Sequence, residues 1–231
     1  MKQISIILFT FILFFFILAS TSCKTIFRGA PKPAKFTVSL SSRQVPLGTI
    51  EMQRDRRFTT SGLVKEVADI LYFPEEDAVC IKYRSDFFTY HLFFDVTGRD
   101  LFLKSLEKYR AAYEDRDLPN NNKRTGNQYG SAEGYLIWQE LSFTKRYNGN
   151  MNIEAGYLFK KNSPYFVIIQ NQSYYEDIMN KANNGASQLI TLHFTRAQAQ
   201  ELAAFFDREL LRTHAVPRVI REGLTVDVDE Y

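Results

Sequence analysis

Cysteine and histidine are scarce in this 231-residue chain, which carries two of the first and three of the second. Two cysteines rule out a disulfide scaffold, and five such residues in all leave few combinations for a Cys/His metal centre. No Gly-x-Ser-x-Gly elbow, His-Glu-x-x-His pair or glycine-rich turn after a strand is present, so the common hydrolase, zincin and nucleotide-binding signatures are missing. Charge of one sign is missing too. Lys and Arg number 29 against 26 Asp and Glu, a formal net charge of +3, which gives no electrostatic footprint for nucleic acid. Tryptophan occurs once, yet there are 20 Phe and 13 Tyr, enough for an aromatic core or an aromatic groove. The only long apolar run is at the start.

That run has the three parts of an export signal. Lys2 supplies positive charge, Ile4 to Ala19 is almost wholly apolar, and Ala19, Ser20 and Ser22 are small residues suited to peptidase cleavage. The run falls short of the roughly 18 apolar residues of a spanning helix, which makes an uncleaved anchor the second reading. The stretch Ser20-Thr21-Ser22-Cys23 resembles the lipobox of bacterial lipoprotein precursors, with Ser20 where a leucine is usual; the relaxed form is similar to that of spirochaete lipoproteins. The resemblance implies a signal peptide over 1–22, acylation of Cys23, and a mature protein held to a membrane of the cell envelope. It reaches only to residue 23. With Cys23 acylated, Cys80 in "AVCIKY" has no intramolecular partner and reads as a small buried hydrophobe; a Cys23–Cys80 disulfide is the competing reading.

Residues 23–35 carry Pro31, Pro33 and four basic side chains, a short tether that would keep the following domain near the bilayer. The domain spans 36–215, with an acidic tail over 216–231. Phe36, Val38 and Leu40 alternate as in a strand, and 41–62, with Pro46 and Gly48, reads as a loop containing at most one short strand. A hairpin follows around "PEED", then the strand "FFTYHLFF" with Phe88, Tyr90, Leu92 and Phe94 on one side. From Thr97 the period becomes helical, with Phe102, Leu106, Tyr109 and Tyr113 on one face and a Thr-x-x-Asp start.

The polar stretch 118–134 separates this half from a second, in which "YLIWQELSF", "MNIEAGYLF", "YFVIIQNQSYY" and "QLITLHF" read as strands. Residues 176–185 read as a short helix or turn. The last strand runs into a helix opened by Thr195-x-x-Gln198. The expected fold is therefore α+β: mainly antiparallel sheet with two principal amphipathic helices, at about 97–115 and 195–212, covering a sheet face. The halves 36–117 and 134–212 share an order of strands then helix, and Thr97 aligns on Thr195. That match reflects either a duplicated unit or the commonness of strand-then-helix order.

No catalytic residue, metal ligand or cofactor is assigned from the sequence. His91 and His193 each alternate against apolar strand neighbours and are expected on the opposite, surface or groove-lining face; His214 follows the last helix. Glu75, Glu76 and Asp77 fit a solvated turn better than a calcium loop. Arg54, Arg56 and Arg57 near Phe58, and Lys123 and Arg124 near Tyr129, interleave basic and aromatic side chains in polar loops. Such interleaving suits anionic polymers, glycans or lipid headgroups, and ordinary solvated loops are the competing reading. The expectation is a membrane-anchored, non-enzymatic binding or assembly module with an envelope protein or glycan partner and no nucleic acid. The alternative is an envelope hydrolase whose site gathers scattered residues such as His91, His193 and carboxylates.

Overall fold

A computed structural model describes residues 36–55, 62–119, 127–141, 145–175 and 185–215. Cys23, the signal and tether, Arg56, Arg57, Phe58, Lys123, Arg124, residues 176–184 and the acidic tail lie outside the described residues.

Eight antiparallel strands close on themselves as a barrel. They are β1 (Val45–Asp55), β2 (Leu63–Phe73), β3 (Ala78–Ser85), β4 (Phe88–Phe94), β5 (Gln128–Glu140), β6 (Arg146–Lys160), β7 (Ser163–Gln170) and β10 (Ile190–Phe194). Each pairs with its sequence neighbour, and β1 pairs with β10 at Gln53↔His193 and Arg54↔Leu192 to close the ring. Two short strands between β7 and β10, β8 (Tyr174–Tyr175) and β9 (Gly185–Ala186), form a separate ribbon.

Alternation decides which residues fill the bore. Ile50 and Met52 from β1, Ile70 from β2, Ile81 from β3, Leu92 from β4, Leu136 from β5, Ile153 from β6, Ile168 from β7 and Leu192 from β10 belong to one buried cluster. Between them Glu51, Lys65, Arg84, Glu133 and Asn152 point outward and are exposed. Apolar inside and charged outside is the reverse of a barrel that faces lipid. On β2 to β5 the outer face is apolar as well: Leu71, Phe73, Cys80, Phe93 and Ile137 pack with Val38, Phe36 and Leu40, which lie over them. Cys80 is a fully buried free thiol, and burial pushes its pKa up.

Among the described residues, three helices complete the fold: α1 (Val96–Glu114), α2 (Arg196–Phe205) and α3 (Arg208–Ala215). Because strands alternate in direction around the ring, β4 and β10 run the same way, so α1 and α2 both start at one mouth of the barrel. They close it. Phe102, Leu106 and Tyr109 of α1 join the bore cluster, with the Phe102 ring 5.2 Å from Phe166 and 4.8 Å from Phe206. Tyr109 also donates a hydrogen bond to the Pro164 carbonyl at 3.0 Å.

These findings correct the expected fold. An α+β sheet with two helices lying on its face is replaced by a closed barrel whose helices seal one mouth; pairing of β1 with β10 removes both sheet edges and turns the inner face into a bore. The 41–62 stretch is not mainly loop: β1 has 11 residues, and its break between Pro46 and Gly48 is a bulge that leaves pairing with β2 intact on both sides. Residues 36–40 form no strand, although Val38 is buried. The helix at 97–115 exists, but its cap is Asp95, whose carboxylate accepts from the Gly98 amide at 2.7 Å, two residues before the expected Thr97. Thr195 and Gln198 do form a reciprocal capping box. The single helix over 195–212 is two: the first ends at its C-cap Phe206, and Asp207 caps the second, accepting from the Leu210 amide at 2.9 Å.

Candidate functional site

Three polar clusters stand out, and their geometry separates structural from accessible chemistry. The first lies in the bore toward the β3–β4 turn. Arg54, 7% exposed, is 3.1 Å from Glu66 and 3.5 Å from Asp86, so one cation faces two carboxylates. Beyond it Tyr83 donates to Gln170 Oε1 at 2.6 Å, and Gln170 donates to the Gln188 carbonyl at 3.2 Å. β3 and β7 sit four places apart in the ring, hence on opposite walls, so the Tyr83–Gln170 bond crosses the bore. The bore is therefore tied across and filled by side chains.

The second cluster is on the outer wall. His193 is fully buried, its Nε2 3.3 Å from Asp55 Oδ2, while Lys160 Nζ lies 2.6 Å from Asp55 Oδ1 and the Tyr165 ring meets the imidazole edge-on. Burial alone would raise the Asp55 pKa, but the hydrogen bonds from His193 and Lys160 and their charges hold it at about 2. His193 Nδ1 is buried without a hydrogen-bond partner. A histidine paired with a carboxylate is two-thirds of a triad, yet no hydroxyl or thiol meets Nδ1 among the described residues. His91 belongs elsewhere: β4 and β10 are opposite strands and both imidazoles point away from the bore, so the two histidines are held on opposite sides of the barrel. Burial and the neighbouring cations Lys82 and Arg146 lower the His91 pKa to about 4. The expectation of surface or groove-lining histidines is corrected here, since His91 is 9% exposed and His193 not at all. Both side chains lie on the predicted face, but that face is covered at each.

The third cluster is open. At the helix-bearing mouth a cleft of about 410 Å³ is lined by Tyr72 of β2, by Pro74 and Asp77 of the β2–β3 turn, by Val96 and Arg99 of α1, and by Arg208, Leu211 and Arg212 of α3. Arg99 is 3% exposed; its guanidinium donates to the Asp77 carbonyl at 3.0 Å and to Asp77 Oδ1 at 2.9 Å, and its Nε has no partner. Tyr72 donates to the same carboxylate oxygen at 3.1 Å, and burial together with that negative charge raises the tyrosine pKa to about 12. Arg208 and Arg212 sit on the exposed side, paired with Asp100 at 2.8 Å and Glu209 at 2.7 Å. None of these arginines was singled out in the sequence. The available signal was Arg99 itself: a cation in the first turn of a 19-residue helix opposes the helix dipole and asks for an anionic neighbour.

Comparison with known proteins gives a family and nothing narrower. A family model described as an uncharacterised Treponema protein matches residues 32–213, and the chain belongs to that family. No curated protein and no solved structure matches it.

Proposed function

We propose that this protein is a lipid-anchored envelope protein whose barrel serves as a non-enzymatic binding module. The observation that carries the binding reading is the contrast between a bore crossed by the Tyr83–Gln170 bond and an open, arginine-lined cleft at the helix mouth. Side chains occupy the space where a lipocalin-like barrel would hold a ligand, so recognition falls to the cleft. Lipid anchoring rests on Ser20-Thr21-Ser22-Cys23 after an apolar run, and membership of a spirochaete family agrees with the relaxed form of that box. The hydrolase alternative loses support, because its two histidines are on opposite walls and His193, the one that meets a carboxylate, is sealed from solvent.

Mass spectrometry of protein extracted from its native membrane tests the anchor. The expected result is an acylated peptide beginning at Cys23, with release of the domain from membranes on Cys23→Ala. A different mature start without acyl mass would remove the lipid reading.

A further inference from the structure

The arginine cleft has properties that the structure does not use internally. Of the five N–H groups of the Arg99 guanidinium, two are engaged by Asp77, and Nε is buried with no acceptor. Nε itself is closed off, so contact with a ligand falls to the remaining N–H groups of Nη1 and Nη2. The surroundings favour an anion. α1 starts at Val96, which lines the cleft, so the positive end of a 19-residue helix lies beside it, with the Asp95 side chain accepting from the Gly98 amide. Asp77, the one carboxylate among the described residues that line the cleft, is already committed to Arg99 and Tyr72.

The two arginines of α3 are held differently. Arg208 and Arg212 are 56% and 73% exposed, and their pairs with Asp100 and Glu209 are surface ion pairs of the kind that contribute little and exchange readily. Four residues apart on α3, they project from neighbouring turns and can turn toward an incoming ligand. We propose that this cleft is a phosphate-type oxyanion site, with Arg99 as the fixed donor, the positive end of α1 beside it, and Arg208 and Arg212 closing over the ligand. Pro74, Val96 and Leu211 supply an apolar rim, so the ligand class is a phosphate monoester or diester carried on a small non-polar or glycerol-like body. A free phosphate ester and a lipid headgroup share this chemistry.

The inference deepens the binding-module reading but does not depend on Cys23: acylation and anion binding fail or succeed separately. The test is calorimetric titration of the full chain with inorganic phosphate, glycerol 3-phosphate and monomeric short-chain phosphatidylglycerol. Saturable binding in about the millimolar range or tighter, weakened by added salt, is expected. The Arg208→Gln/Arg212→Gln double variant should lose roughly tenfold or more in affinity, since charge-assisted bonds are the strong ones. Lys65→Gln/Arg84→Gln, which removes the same charge from exposed strand positions, should leave binding within about twofold, a change in net charge alone being a weak, screened effect. Preference for the short-chain lipid over glycerol 3-phosphate identifies a headgroup as the source, and the reverse identifies a soluble ester. No saturable heat with any of the three probes, or equal losses in the two double variants, overturns the proposal.

Discussion

Arg54 and Arg99 are both almost fully buried, and they differ in what surrounds them. Arg54 faces two carboxylates in the bore. Arg99 faces one carboxylate, which is half exposed, keeps an unpartnered Nε and borders a cleft. Burial of a charge therefore does not by itself mark a functional site. What distinguishes the second arginine is that Asp77 engages only two of its five N–H groups and that it lines a cleft. The same contrast runs through the molecule: sealed polar groups should report in stability, and open ones in binding.

The largest expected effect is at the sealed arginine. Arg54→Ala removes from the bore the cation that Glu66 and Asp86 share, and removing one partner of a buried pair costs about 3–5 kcal/mol. Urea denaturation should show the midpoint falling at nearly constant slope. Arg54→Met combined with Glu66→Met and Asp86→Asn should recover much of the loss, because apolar replacement of the whole cluster leaves little charge stranded. If Arg54→Ala were neutral, Arg54 would be as open as the cleft arginines and the contrast would collapse.

How much of this contrast the sequence displayed can be judged residue by residue. The bore was legible in strands such as β4, where Phe88, Tyr90, Leu92 and Phe94 alternate cleanly, and the hairpin around "PEED" was evident because proline and acidic residues interrupt two β-branched runs. β1 was not, because only Ile50 and Met52 mark its inner face and Pro46 and Gly48 obscure the start. Without β1 as a full strand there was nothing for β10 to close against, so an open sheet was the natural expectation. Closure itself is a long-range pairing of residues 53–54 with 192–193, which no local pattern encodes. The cleft was hidden for the same reason: Asp77, Arg99 and Arg208 come from three separate elements.

His91 extends the comparison to the outer wall. Its folded pKa is about 4 against an ordinary 6.5, so between those values the unfolded chain takes up the proton and the folded one does not. Stability is fully present above about pH 6.5 and falls as the pH drops toward 4. The expected change is about 2–3 kcal/mol, from the depression of the pKa at 1.36 kcal/mol per unit. Denaturation midpoints measured across that range should fall for the parent chain and stay flatter for His91→Gln. Parallel curves would mean that the imidazole is hydrated, contrary to its burial.

Within the bore, Tyr83→Phe removes the bond that ties β3 to β7 and strands Gln170 Oε1 in the core. A buried acceptor left unmade costs about 1–2 kcal/mol, seen as a shift in thermal midpoint with the barrel's circular dichroism unchanged. A gain in stability would show that water already reaches this point. The bore would then be an open ligand cavity and not a filled one.

The smallest effect is the one that defines the open site. Arg208→Gln/Arg212→Gln breaks only exposed pairs, each worth roughly 0–1 kcal/mol and commonly near the low end, so denaturation should shift by about 0.5 kcal/mol or less. The same substitutions carry the predicted tenfold loss of anion affinity. A side chain that matters to binding and hardly at all to folding is held in place for its ligand, whereas Arg54 should show the opposite: a large loss of stability and, in chains that remain folded, unchanged affinity for phosphate. Should the double variant instead unfold the protein, Arg208 and its bond to Asp100 would be bracing α3 against α1, and the cleft would be a joint between helices.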